Sequence, residues 1–114
     1  MDGIALEHLG TATVLRSNRP LTFKSRQEFI NLIMALSKRP EMERILFIFS
    51  PETEVDATGI GMLTQMHAIM TGSGKRLYLC MPPQDVVERL KELNLFNFLY
   101  ILNTEEEVLM HLPD

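Results

Sequence analysis

The stretch Ile45-Leu46-Phe47-Ile48-Phe49-Ser50-Pro51-Glu52-Thr53-Glu54-Val55-Asp56-Ala57-Thr58-Gly59-Ile60-Gly61-Met62-Leu63 decides the fold. Its first five residues are the most apolar run in the chain and show no polar alternation. A strand that is apolar on both faces belongs at the centre of a sheet, covered from both sides. Pro51 to Glu54 form a polar exit. From Asp56 onward the apolar residues return at helical spacing, with Met62, Leu63, Met66 and Met70 along one face. Asp56 is a favoured N-cap, because its carboxylate accepts from the free N–H groups of a helix start. Small residues follow it at Ala57, Thr58, Gly59 and Gly61. They leave the backbone open to close approach, either by the protein's own sheet or by a partner.

Upstream, Ile4 to Leu9 and Thr11 to Leu15 read as two short strands around Gly10. Ser17-Asn18-Arg19-Pro20 reads as loop. Ser25-Arg26-Gln27-Glu28 has the form of a capping box. Phe29, Leu32, Ile33 and Leu36 after it make one apolar helix face, which Pro40 stops. Downstream, Gly72 and Gly74 end the helix that begins at Asp56, glycine being suited to left-handed helix termini. Leu77-Tyr78-Leu79-Cys80 is a strand, and Pro82-Pro83 opens a helix carrying Val86, Leu90 and Leu93, with Asn94 as a left-handed cap. Leu99-Tyr100-Ile101 is a last strand. Thr104-Glu105-Glu106-Glu107 is a second capping box ahead of Val108, Leu109 and Leu112. Strands that alternate with helices imply a parallel sheet with crossover connections, and residues 1–114 form one α/β domain.

Composition narrows the function classes. The chain has 114 residues, 46% hydrophobic and 23% charged, which is ordinary for one globular domain. A formal net charge of −4 provides no basic footprint for nucleic acid. No apolar run approaches the roughly 20 residues of a membrane span, so no membrane insertion is expected. Met1-Asp2-Gly3-Ile4 has neither region of a signal peptide. The single cysteine, Cys80, excludes an internal disulfide and fits a reducing cytoplasm. Its place in an apolar strand makes it a buried, inert thiol. Most of the eight methionines are expected to fill the core.

Other constellations carry no chemistry. Gly72-Ser73-Gly74-Lys75-Arg76 has the ending of a phosphate-binding loop. It lacks the first glycine, puts Arg76 where Ser or Thr is needed, and follows a helix instead of a strand. His8, His67 and His111 share no metal-ligand spacing and are expected to be solvated or interfacial. Asp56 as the phosphoacceptor of a receiver domain would need an acidic pair at the first strand, which offers only Glu7. No nucleophile, base and oxyanion set converges, so no catalytic residue, metal or cofactor is assigned.

Asp56-Ala57-Thr58-Gly59-Ile60-Gly61-Met62-Leu63, behind an apolar strand and an acidic loop, resembles the signature of STAS domains. That fold is shared by sulfate transporters and anti-sigma factor antagonists. Family members usually read Asp-Ser-Ser/Thr-Gly-Leu-Gly here. Asp56, Thr58, Gly59 and Gly61 match, whereas Ala57 stands at the position that the antagonists phosphorylate. A second family pattern, Gly-x-Leu-Asp, lies before the first helix. This chain has Arg19-Pro20-Leu21-Thr22 there and keeps only the Leu. The likeness follows the element order along nearly the whole chain, and its specific part is the motif at Asp56.

The resemblance implies a mixed, mainly parallel sheet of four to five strands, with an antiparallel early strand and about four helices. It implies a non-enzymatic regulatory interaction module, similar to a stand-alone bacterial anti-sigma factor antagonist in a partner-switching pathway that regulates transcription. The expected partner is an anti-sigma factor or a serine kinase, met through Asp56, Ala57, Thr58, Gly59 and Gly61. The phosphoserine switch is absent at Ala57. Thr58, about 100° further around the helix, is the one hydroxyl within the motif that offers an alternative phosphorylation site, and it is expected instead to bond to local backbone. The alternative implied by the same family is a subunit or regulator of a membrane transport system, bound in trans.

Overall fold

The apolar run becomes the third of five strands. The structure, a computed structural model, describes residues 3–113; Met1, Asp2 and Asp114 of the expected domain lie outside them. Its elements are β1 (Ile4–Leu9), β2 (Ala12–Ser17), α1 (Arg26–Ser37), β3 (Arg44–Phe49), α2 (Ala57–Gly72), β4 (Arg76–Cys80), α3 (Gln84–Glu92), β5 (Tyr100–Leu102) and α4 (Glu105–Met110). The five strands form one sheet in sequence order. β1 runs antiparallel to β2, and β2, β3, β4 and β5 are parallel. This is the mixed, mainly parallel sheet with four helices that the resemblance implies.

Alternation along β3 divides the core in two. Ile45, Phe47 and Phe49 point to one face, where they meet Leu15, Leu77 and Leu79 and the apolar sides of α1, α2 and α3. Phe47 sits in register between Leu15 and Leu79, with its ring 6.0 Å from that of Phe29 on α1. Leu46 and Ile48 point to the other face, where Val14, Tyr78, Cys80 and Leu102 pack beneath Val108 of the short α4. The two layers are unequal, with three helices on one face and one on the other.

Two helix ends close as their sequences predict. Gly74, at φ +73°, ends α2 with Lys75 N donating to Met70 O at 2.9 Å and Gly74 N to Thr71 O at 3.0 Å. Asn94, at φ +59°, ends α3 in the same way, with Leu95 N on Leu90 O at 2.8 Å. The Thr104 hydroxyl accepts from Glu107 N at 3.1 Å, the expected capping contact of α4.

Other expectations are corrected. Ser25 precedes α1 but sits in the right-handed helical region and caps nothing. Its hydroxyl turns back, donating to Pro20 O at 2.7 Å and accepting from Thr22 N at 3.1 Å, while Glu28 pairs with Arg19. β2 runs on through Ser17, expected as loop, because Ser17 has partners on both sides at Ile4 and Phe49. Leu93, expected on the apolar stripe of α3, is the C-cap and is exposed. Leu99 lies just outside β5. Met62, Met66 and Met70 fill the core, but Met34 and Met110 face solvent. His67 is buried, against the solvated or interfacial place expected for it.

Candidate functional site: the entrance of α2

Asp56 caps α2 as its sequence predicts. It is in extended conformation, with φ −90° and ψ −172°, and Oδ1 accepts from Gly59 N at 2.8 Å. Its carbonyl accepts the first helical bond, from Ile60 N at 3.0 Å. A carboxylate at this end also meets the positive pole of the helix.

The loop leading to Asp56 is held from three sides. Thr53 is buried, and its hydroxyl accepts from Ser50 N at 3.1 Å. Val55 forms a parallel bridge with Leu21 from the connection between β2 and α1. Leu21 N donates to Glu54 O at 2.8 Å, and Asp56 N donates to Leu21 O at 3.3 Å. From α3, an Arg89 guanidinium nitrogen donates to the Val55 carbonyl. These bonds join three crossover connections into one support under the helix entrance.

That support explains Gly59. A Cβ on Gly59 would lie 2.0 Å from Leu21 O and 2.8 Å from Val55 Cγ1, so only hydrogen fits. Gly61 differs: nothing lies within 4 Å of where its Cβ would be. The close approach expected at these small residues therefore divides. Gly59 is spent on the protein's own chain, and Gly61 stays open.

The five residues singled out from the sequence occupy one helix start. Asp56, Ala57 and Gly61 are exposed, Thr58 is half-buried and Gly59 is buried. Ala57 and Gly61, four residues apart, share a face. Thr64 and Gln65 continue it, and Gln65 Oε1 accepts from Arg26 of α1 at 2.9 Å. The Thr58 hydroxyl takes part in none of the side-chain hydrogen bonds found among the described residues, in contrast to Thr64, which donates to Gly61 O at 2.7 Å. The local backbone bond expected for Thr58 is thus not formed. Glu52 and Glu54 add exposed negative charge beside Asp56.

Sequence reading missed the support. Leu21 was visible only as the one retained residue of a pattern. Arg89 left no signal, since it lies 34 residues from the carbonyl it binds. Among the described residues, no three His, Cys, Asp or Glu side chains gather as a metal site. Cys80 is fully buried, and burial pushes its thiol up to about 12, against a smaller opposing effect of Arg16. At neutral pH it is therefore a thiol without nucleophilic thiolate. No helix among the described residues is long and apolar enough to cross a membrane.

Comparison with known proteins agrees with this geometry. A family model described as STAS domain matches residues 3–108. A candidate anti-sigma factor antagonist from Thermotoga maritima superposes with a TM-score of 0.80 at 19% identity, over 96% of this chain and 93% of that one. The anti-sigma factor antagonist SpoIIAA in its unphosphorylated form gives a TM-score of 0.70 at 18% identity, over 93% and 92%. The murine Slc26a9 anion transporter gives 0.74 at 12% identity, over 91% of this chain and 18% of the transporter. No curated protein matches the sequence. At these identities the structural likeness is one of fold.

Proposed function

The chain belongs to the STAS domain family, and from that premise we propose that it is a non-enzymatic regulatory module of the anti-sigma factor antagonist kind. In this reading it docks a protein partner, an anti-sigma factor or a serine kinase, in the cytoplasm. The docking surface is the start of α2: the Asp56 carboxylate, the exposed Ala57 and Gly61, and Thr58 beside them. Gly59 serves from beneath by letting α2 lie against Leu21. One observation carries the reading. The entrance is braced by three connections, yet at Ala57 and Gly61 its outward side is exposed and carries little or no side chain. A preorganised, low-relief surface suits docking, because little ordering is needed on association.

The phosphate switch is absent from this surface, because Ala57 has no hydroxyl. Where it exists, a phosphate adds close to two negative charges and repels the partner. Here Asp56, Glu52 and Glu54 would already surround it. The protein in this reading holds its partner without that release.

Co-purification from the native host tests the proposal, with the unaltered chain and Gly61→Arg as baits. The side chain added at Gly61 enters open space, so the fold stands while the surface is blocked. The expected result is recovery of an anti-sigma factor or serine kinase by the first bait and its loss by the second. With that kinase and ATP, Ala57→Ser should gain one phosphate by intact mass, and the natural chain none. Recovery of a permease or transport ATPase would replace this reading with the transport-associated one. Equal recovery by both baits would move the surface elsewhere.

A further inference from the structure

At the end of the sheet opposite the α2 entrance, Arg44 and Arg76 open β3 and β4 as register partners. Their side chains leave the same face on strands about 4.8 Å apart. Like charges directly opposite one another are destabilising. Ion pairs among the described residues are Arg19–Glu28, Arg39–Glu41 and Arg89–Asp85, so neither Arg44 nor Arg76 has a carboxylate partner there. Neutral groups hold both instead. Arg44 Nε donates to His111 O at 2.6 Å. Arg76 Nη1 donates to the Tyr78 hydroxyl at 3.5 Å, and its guanidinium lies 4.8 Å from the centre of the Tyr100 ring.

Arg44, Arg76 and Tyr78 line one open groove with Glu43 and Gly74. Tyr78 is only 7% exposed. Its hydroxyl accepts from Arg76, while its own proton has no acceptor among the described residues. Gly74 adds no side chain to the rim, with open space beside it.

We propose that this groove binds a phosphate group, either of a soluble phosphate ester or of a lipid headgroup. Two guanidinium groups and a phenolic O–H are all donors, brought to one groove by the register of β3 and β4. A phosphate supplies acceptors on its terminal oxygens, and its charge answers two arginines that have no carboxylate partner among the described residues. Glu43 on the rim opposes the anion and lowers its affinity. The site lies at the other end of the sheet from the α2 entrance and does not depend on the function proposed there.

Titration of the full chain with inorganic phosphate and with pyrophosphate at constant ionic strength, followed by amide NMR shifts, tests the site. Sedimentation with phosphatidylcholine vesicles, with and without phosphatidic acid, forms the second arm. Saturable shifts at Arg44, Arg76 and Tyr78 are expected. Arg76→Gln should weaken binding about tenfold or more, as loss of a charge-assisted hydrogen bond does. Tyr78→Phe, which keeps both arginines and the ring packing, should weaken it several-fold, and Glu43→Gln should strengthen it. Pelleting that needs phosphatidic acid and is reversed by pyrophosphate assigns the phosphate to a lipid; soluble binding without pelleting assigns it to a free ester. Absence of saturable binding in both arms would overturn the proposal. So would binding left unchanged by Tyr78→Phe and Arg76→Gln, and Tyr78→Phe alone decides if Arg76→Gln does not fold.

Discussion

Gly59 and Gly61 are two residues apart and look interchangeable in the motif. Their surroundings separate them. An added methyl at Gly59 would press into the Leu21 carbonyl, a backbone atom that cannot swing aside. Gly59→Ala should therefore destabilise by about 1–3 kcal/mol, the usual cost of overpacking. At Gly61 the same methyl meets nothing, and alanine is the better helix former, so Gly61→Ala should stabilise by up to about 1 kcal/mol. Urea denaturation of the two variants measures both signs together. Equal losses would mean that α2 is rotated from the orientation described. Ala57 shares the open side with Gly61, and Thr58 lies around the axis from it, half-buried. One residue of displacement thus separates a position that a kinase could reach freely from one partly covered.

Among the elements, β3 has the fewest alternatives. Every residue from Ile45 to Phe49 is buried, and it has a parallel neighbour on each side. Phe47 is fully buried and contacts the aromatic rings of Phe29 and Phe49 at 6.0 and 4.9 Å between centroids. Phe47→Ala should cost about 3–5 kcal/mol in denaturant-derived stability. A loss under roughly 1 kcal/mol, typical of surface sites, would be incompatible with a central strand. The helix starts show how far local sequence reaches. Asp56 and Thr104 cap because their backbones are extended and their side chains can return to the third helical N–H. Ser25 has the same kind of sequence context, but the turn at 22–25 puts it in helical conformation, and its hydroxyl serves the turn instead.

Across the whole molecule, the unequal layers leave His67 in an unusual place. It lies on α2 with only 8% exposed, its Nδ1 buried without a hydrogen-bond partner, and its ring 4.8 Å from Phe98 and 5.5 Å from Tyr100. Burial lowers its pKa, because the charged form loses hydration that the aromatic neighbours do not replace. The unfolded chain binds this proton near the ordinary value of about 6.5. Between the native pKa and that value the unfolded state therefore carries more protons than the native one. Stability contributed by His67 is complete above about pH 6.5 and is lost as pH falls below it. Denaturation midpoints followed from about pH 8 to 5 should decline on the acid side, and His67→Leu should decline less. Parallel curves would assign the acid sensitivity to other groups.

The amino-acid sequence by itself determined the central strand, the helix entrance at Asp56, the left-handed caps at Gly74 and Asn94, and the alternating order of strands and helices. Each of these depends on residues within one or two turns, where apolar period, side-chain reach and φ preference act directly. The tertiary structure alone decided which small residue is packed and which is open, since Gly59 is constrained by a carbonyl 38 positions away. It also decided that His67 is buried, that Ser17 belongs to β2, and that Arg44 and Arg76 stand side by side with neither ion-paired to a carboxylate among the described residues. Those outcomes come from strand register and from contacts between crossover connections, and no local pattern in the chain encodes the distance between such partners.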